Sequence, residues 1–251
     1  MTEIDADALI SEQIEYYRAR APWYDDWWYR EGQYATGGEL ENRWRVDVES
    51  MLADLDDWLL TVRPAHVLEL AAGTGELTRR IVGRVERVTV VDAAPEMIAL
   101  NEAKLAVDAQ RVEYVVADLF DWRPPQVFDA VVFGFWISHV PSGHWDQFWE
   151  LVRDALVPGG GVWLFDSAPP ELAWERGVLP RPTDTVVLHG DGDVDRRTDV
   201  HERALPDGRT FRSVKRFVDP EWLAADLATR GFDPFVCTTE WAFLIARLTK
   251  K

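Results

Sequence analysis

Val67-Leu-Glu-Leu-Ala-Ala-Gly-Thr-Gly-Glu-Leu-Thr78 is the stretch whose reading decides the fold. The short apolar run His66–Leu70, introduced by Pro64, reads as a buried parallel strand. Ala71 leads into Gly73 and Gly75, which permit a tight turn and let a ligand approach the backbone with no Cβ in the way. Leu77, Ile81 and Val82 then fall at a helical spacing, which predicts a helix over Glu76–Val85. Strand, glycine turn and helix together make a nucleotide-binding corner. A dinucleotide fingerprint requires a third glycine three residues after the second. That position is Thr78.

Working outward, strand-like and helix-like segments alternate from Val62 to Asp166, as in a parallel sheet with helices on both faces. Further strands are expected at Val88–Asp92, Val112–Val116, Phe128–Phe133 and Gly161–Asp166, and helices at Pro95–Ala106 and His144–Leu156. Val157-Pro-Gly-Gly-Gly161 breaks the last of these helices. Beyond it, Pro169, Pro170, Pro180 and Pro182 punctuate a loop. Runs at Val194–Ala204 and Arg209–Val218 flank Leu205-Pro-Asp-Gly208, a hairpin signal. A helix over Pro220–Arg230, stopped by Gly231, precedes a closing pair of strands, Phe235–Thr239 and Trp241–Leu248. The first sixty residues are helical and rich in aromatics. The expectation is one α/β domain: a helical cap at 1–61, a nucleotide-binding core at 62–169, a loop-and-hairpin insertion at 170–218 and the end of the core at 219–251.

Glu69 closes the first strand four residues before Gly73. This Glu-x-x-x-Gly-x-Gly arrangement resembles motif I of the class I S-adenosylmethionine-dependent methyltransferases, in particular the small-molecule type similar to ubiquinone and menaquinone methyltransferases. The resemblance implies a Rossmann-like parallel sheet with a C-terminal antiparallel hairpin, S-adenosylmethionine as cofactor and S-adenosylhomocysteine as product. It also implies that Glu69 orders the glycine loop near the methionine portion of the cofactor, with Ala71, Gly73 and Gly75 beside it.

Asp92 ends the second strand seventeen positions after Gly75, where an acid can accept hydrogen bonds from both ribose hydroxyls of a nucleotide at the turn. It is also a good N-cap for the helix that Ala93-Ala-Pro95 opens. Met97 fits either an adenine contact or plain core. The resemblance assigns Asp118 to the adenine amino group and Leu119 and Phe120 to the ring's flanks, while a turn aspartate explains Asp118 equally simply. Phe133-Gly-Phe-Trp-Ile-Ser-His-Val140 leaves the fourth strand at its carboxyl end, where open parallel sheets bind ligands. Gly134 permits a close approach there, and Phe135 and Trp136 wall the site.

The same segment resembles the post-strand motif in which a His lies near the methyl acceptor, which makes His139 a candidate base or acceptor contact. Imidazole is the side chain that titrates unperturbed near neutrality. Methyl transfer from a sulfonium, however, often needs only proximity and alignment, so a structural His139 stands beside the catalytic one. His144 reads as surface, and Asp166 as either an acceptor contact or a loop cap. Ile14 to Asp25 resembles the cap helix of small-molecule methyltransferases, which would bring Tyr16, Tyr17 or Tyr24, with Arg20, to the methionyl carboxylate; a face docked on the core explains Tyr17, Arg20 and Tyr24 equally well. Trp23, Trp27 and Trp28 read as a face docked on the core.

At 251 residues with a net charge of −17, the chain lacks the basic footprint of a nucleic-acid or anionic-membrane partner. The acidity serves solubility and, more weakly, favours a cationic ligand. Cys237 is the sole cysteine, so neither a disulfide framework nor a cysteine metal site is expected. The acidic N-terminus does not resemble a signal peptide, and the longest apolar run, Ala130–Ile137, is too short to span a bilayer. A soluble cytoplasmic enzyme acting on a small, apolar or aromatic acceptor is therefore expected, with O-, N-, S- and C-methylation all open and no metal. A nicotinamide-dependent oxidoreductase and a catalytically silent cofactor-binding protein are the alternatives.

Overall fold

The structure, a computed structural model, describes residues 6–35, 37–105, 109–169 and 199–251. Most of the proline-punctuated loop, and the start of the run expected from Val194, lie outside the described residues.

A seven-stranded sheet forms the centre. Its strands are β1 (His66–Leu70), β2 (Arg87–Asp92), β3 (Val112–Val116), β4 (Phe128–Gly134), β5 (Leu156–Ser167), β8 (Phe232–Thr238) and β9 (Phe243–Lys250), in the order β3-β2-β1-β4-β5-β9-β8. The first five are parallel, and β9 pairs antiparallel with both β5 and β8. The chain runs outward through β1, β2 and β3 and then returns to β4 beside β1. This creates a topological switch point at the carboxyl ends of β1 and β4, where open α/β sheets hold ligands.

Alternation along the strands feeds two apolar layers. Leu68, Leu70, Val131 and Phe133 face the layer that contains Phe148 and Trp149 of α6 (Trp145–Asp154) and Leu223 and Leu227 of α7 (Pro220–Thr229). Val67, Ala130, Val132 and Trp163 face the layer that contains Met51, Leu55 and Trp58 of α3 (Gly38–Val62). Strands covered on both sides read as continuous apolar runs, which is why the sequence marks them so clearly. Trp27 and Trp28 of α2 (Tyr24–Tyr29) join the second layer beside Trp44 and Phe135, as a docked face.

Two local expectations are corrected. The helix after the glycine turn, α4, covers only Thr78–Ile81, because the loop's turns run through Leu77 and turns set in again before Gly83. Val157 to Gly161 does end α6, but it belongs to β5: Leu156 pairs with Phe128 and Gly161 with Ala130 across an irregularity in register. The helix α5 (Pro95–Leu105) lies where expected.

The N-terminal helix α1 (Ala6–Arg20) crosses the site end of the molecule. The inserted hairpin, β6 (Val200–Ala204) and β7 (Thr210–Val214), forms a separate two-stranded sheet that packs on it. Its turn closes with Gly208 at φ +88, a conformation glycine adopts without strain. Glu12 of α1 pairs with Arg212 of β7, and Arg18 with Glu96 of α5. These pairs are largely solvated and contribute little stability, so they set register more than they hold.

At the end of β4 a Cβ on Gly134 would lie 2.0 Å from Cε1 of Phe165. Gly134→Ala is therefore expected to lower stability by about 1–3 kcal/mol through overpacking. Urea unfolding would register this as a lower midpoint with an unchanged slope.

Candidate active site

The carboxyl ends of β1, β2 and β4 and the inner face of α1 enclose a cavity of about 680 Å³, including the space at its mouth. Asp92 organises the cavity floor. Its Oδ2 accepts from the Gly73 amide at 2.8 Å and its Oδ1 from the Ala94 amide at 2.8 Å. One carboxylate thus caps α5 and fixes the glycine loop. An ionised carboxylate has about four acceptor sites, so capacity remains for a ligand. Burial lifts its pKa to about 6, against the pull of the two amides.

The loop itself is pinned from two sides. Lys104 of α5 pairs with Asp25 at 2.7 Å and Glu76 at 2.8 Å, and the Thr74 hydroxyl donates to Asp25 at 2.5 Å. Gly75 makes room for Asn101: a Cβ there would lie 2.7 Å from the Asn101 amide carbon. Asn101 donates to the hydroxyl of Thr78, the residue standing in the third-glycine position. Ala71 and Phe135, at the ends of β1 and β4, both have positive φ, +48 and +51. For a ring as large as Phe135 this is an outlier held by its surroundings, and such strain gathers at functional sites.

Glu69 is 1% exposed, and neither carboxylate oxygen has a hydrogen bond of good geometry. Burial raises its pKa to about 8, with Thr78 pulling downward and Asp92 adding to the rise. With Thr78 beside it but no hydrogen bond of good geometry, this buried acid is left poorly satisfied. Asp118 caps the Phe120 amide at 3.0 Å, and burial raises its pKa as well.

Most of the residues expected from the sequence meet on this cavity's wall. Gly73, Asp92, Ala93 and Met97 line one end, and Asp118, Leu119 and Phe120 also line it. Ala71, Gly134, Phe135 and Trp136 come from the strand ends, and Tyr17, Tyr24 and His139 complete the wall. Glu69, Gly75 and Arg20 do not line it. Arg20 is buried, donates to the Tyr16 hydroxyl at 3.0 Å and stacks 5.3 Å from the Tyr24 ring.

His144 is not a surface residue: its ring packs 4.7 Å from that of Phe120, because a 3₁₀ turn over Ser142–His144 directs it inward. Asp166 is a cap, taking the amides of Ser138 and Ser167 and pairing with Lys215. Ile10, Gln13 and Ile14 were missed as lining residues. Their signal is present, since Ile10, Gln13, Ile14 and Tyr17 share one helical face at i, i+3, i+4 and i+7. The surroundings of His139 run against the overall charge: Lys215, Arg203 and Arg20 all add positive potential there.

A doubly wound sheet with a ligand cavity at its switch point, floored by a strand-end acid and a glycine loop, defines a nucleotide-binding α/β protein. Residues 67–160 match the family described as a methyltransferase domain. A demethylmenaquinone methyltransferase of Thermus thermophilus is 31% identical over 179 residues, 70% of this chain and 78% of that protein. A trans-aconitate 2-methyltransferase of Streptomyces avermitilis is 36% identical over 101 residues; the match spans 39% of this chain but only 37% of that protein. The solved DhpI–SAM–HEP complex superposes with a TM-score of 0.72 at 34% identity, covering 99% of both chains. The chain belongs to the class I S-adenosylmethionine-dependent methyltransferases, and its activity is methyl transfer from that cofactor. The spare acceptor capacity of Asp92 at the cavity floor fits a ligand that carries ribose hydroxyls.

Glu69 carries a stability signature. The unfolded chain ionises it above the ordinary 4.5, the native protein only near 8, so its contribution favours folding at low pH and is lost as pH rises through that window. Glu69→Gln should raise the melting temperature of the cofactor-free protein at pH 8 by several degrees and by much less at pH 5. Calorimetric melts at the two pH values check this.

Proposed function

We propose that this chain methylates a small-molecule acceptor that enters the cavity at the end walled by Tyr17 and His139. The observation carrying the reading is that one cavity runs from the carboxylates of Asp92 and Asp118 to His139. A nucleotide held at the first end and a nucleophile admitted at the other would therefore share one enclosed space. The small acceptors named for the quinone and trans-aconitate relatives support a small molecule here too. An apolar or aromatic portion on it would suit Ile10, Ile14 and Trp136.

In this reading Asp92 takes the ribose hydroxyls, with Ala93 beside it, and Asp118 takes the adenine amino group between Leu119, Phe120 and Met97. Glu69 meets the methionyl ammonium across the backbone of Ala71 and Gly73, and Tyr24, Gly134 and Phe135 shape the central wall. Gly75 and Arg20 act indirectly, the one by seating Asn101 and the other by bracing Tyr16 and Tyr24. The bound cofactor supplies an electrophilic methyl group on a sulfur that leaves readily. The protein then has to align the acceptor, exclude water and take up any proton the acceptor sheds. The segment division proposed from the sequence follows the same logic, with the cap at 1–61 and the insertion at 170–218 serving the acceptor. A cytoplasmic setting goes with this reading; among the described residues no helix is long and apolar enough to cross a membrane.

The test is transfer of isotope from methyl-labelled S-adenosylmethionine into fractionated small-molecule extracts. Label should appear in a low-mass organic product with wild type and drop by about tenfold to a hundredfold with Asp92→Ala at subsaturating cofactor, the cost of lost hydrogen bonds to a charged group. Label found only in protein or nucleic acid would contradict the small-molecule assignment.

A further inference from the structure

Tyr17 and His139 are joined by a hydrogen bond of 3.0 Å between the phenol oxygen and Nε2. On the far side of the ring, Nδ1 lies 2.5 Å from the Val214 carbonyl oxygen. A carbonyl oxygen only accepts, so Nδ1 carries a proton. The ring is kept neutral, because burial, followed by the positive charges of Lys215 and Arg203, holds its pKa well below the ordinary 6.5; the Val214 carbonyl opposes this and Arg20 adds to it. In a neutral ring with Nδ1 protonated, Nε2 is a bare lone pair and Tyr17 is the donor. The Tyr17 oxygen therefore keeps its own lone pairs for a group in the cavity, whose wall both residues form.

Three distant segments build this geometry. Gln13 of α1 donates to the His139 carbonyl at 3.1 Å and accepts from the Val214 amide at 2.9 Å. The Arg216 amide donates to the Ser138 carbonyl, and Lys215 reaches the Ser138 hydroxyl. Among the described residues, the charged and titratable groups around the ring are thus Tyr17 and Arg20 from α1, Arg203 from β6, and Lys215 beyond β7, itself paired with Asp166.

We propose that Tyr17 and His139 form a proton relay in which the acceptor's proton reaches Nε2 through the Tyr17 hydroxyl, with Gln13 as the residue that positions the ring against the Val214 carbonyl. The proposal rests on the acceptor occupying this end of the cavity. As a lone pair of the acceptor atom forms its bond to the methyl carbon, the carbon–sulfur bond breaks and its electrons stay on sulfur. The acceptor's proton passes to the Tyr17 oxygen, and the proton already on that oxygen passes to Nε2. His139 ends as an imidazolium with Nδ1–H still on the Val214 carbonyl, and yields its proton to water after product leaves. Burial keeps the Tyr17 pKa well above 10, so the two transfers coincide and no free phenolate forms.

Nitrogen-15 NMR of the histidine rings, assigned with His139→Gln, tests the resting state. The His139 pair should show a protonated Nδ1 and an unprotonated Nε2, with and without S-adenosylhomocysteine. Kinetics test the relay. Tyr17→Phe should bind S-adenosylhomocysteine within twofold of wild type while kcat falls about a hundredfold, the scale of general acid–base assistance. Gln13→Ala should shift the acid limb of the kcat–pH profile upward, because a ring opened to water regains basicity, with KM for the cofactor unchanged. A protonated Nε2 at rest, a Tyr17→Phe kcat within threefold of wild type, or loss of cofactor binding in that variant would each overturn the relay. Label from methyl-labelled S-adenosylmethionine that reached only protein or nucleic acid would overturn the proposed acceptor site itself, so the two failures are told apart.

Discussion

The Asp92 carboxylate is the constraint from which the site follows. Its two oxygens hold the amides of Gly73 and Ala94, one on the loop after β1 and the other at the start of α5. The ends of two adjacent parallel strands are thereby locked at the switch point of the sheet. Burial raises the cost of ionising it, and the bound amides recover part of that cost. A ribose offering two hydroxyls would complete the hydrogen bonding of a group that is otherwise poorly solvated. Glu69 is likewise poorly satisfied, buried beside the loop with no hydrogen bond of good geometry. Both acids are less stable alone than they would be with a ligand, the usual relation between a preorganised site and fold stability.

The end of the cavity at His139 is built on a different principle. There no single strand end carries the geometry. His139 is held from α1 through Gln13 and from β7 through Val214, so cap, insertion and core must all be in place before the ring takes one tautomer. The hairpin packs on α1 more than on the main sheet, so it takes no part in the floor set by Asp92.

How much of this was legible in the sequence follows from the same division. Glu69, Gly73, Asp92, Asp118, Gly134 and His139 sit at or just after successive strand ends, and strand ends are what hydrophobic periodicity locates. Their convergence on one sheet edge then follows from parallel topology. Gln13 and Val214 lie 201 positions apart and meet through tertiary packing, which no spacing announces. A glycine in the turn after β1 serves backbone approach and side-chain packing alike, and the seat Gly75 leaves for Asn101 shows only in the fold. Val82 and Val85 are apolar for core reasons and continue the helical pattern past the end of α4. His144 looked superficial because a 3₁₀ turn, not the helix start itself, sets its direction.

The most direct test of the central claim, that the floor set by Asp92 is a cofactor site, is calorimetric titration of S-adenosylhomocysteine into wild type and Asp92→Ala, with NADH titrated in parallel. The account predicts one site per chain in wild type, at least tenfold weaker binding in the variant, and no heat from NADH. Binding of NADH in place of S-adenosylhomocysteine, or equal affinity of the two proteins for S-adenosylhomocysteine, would contradict it.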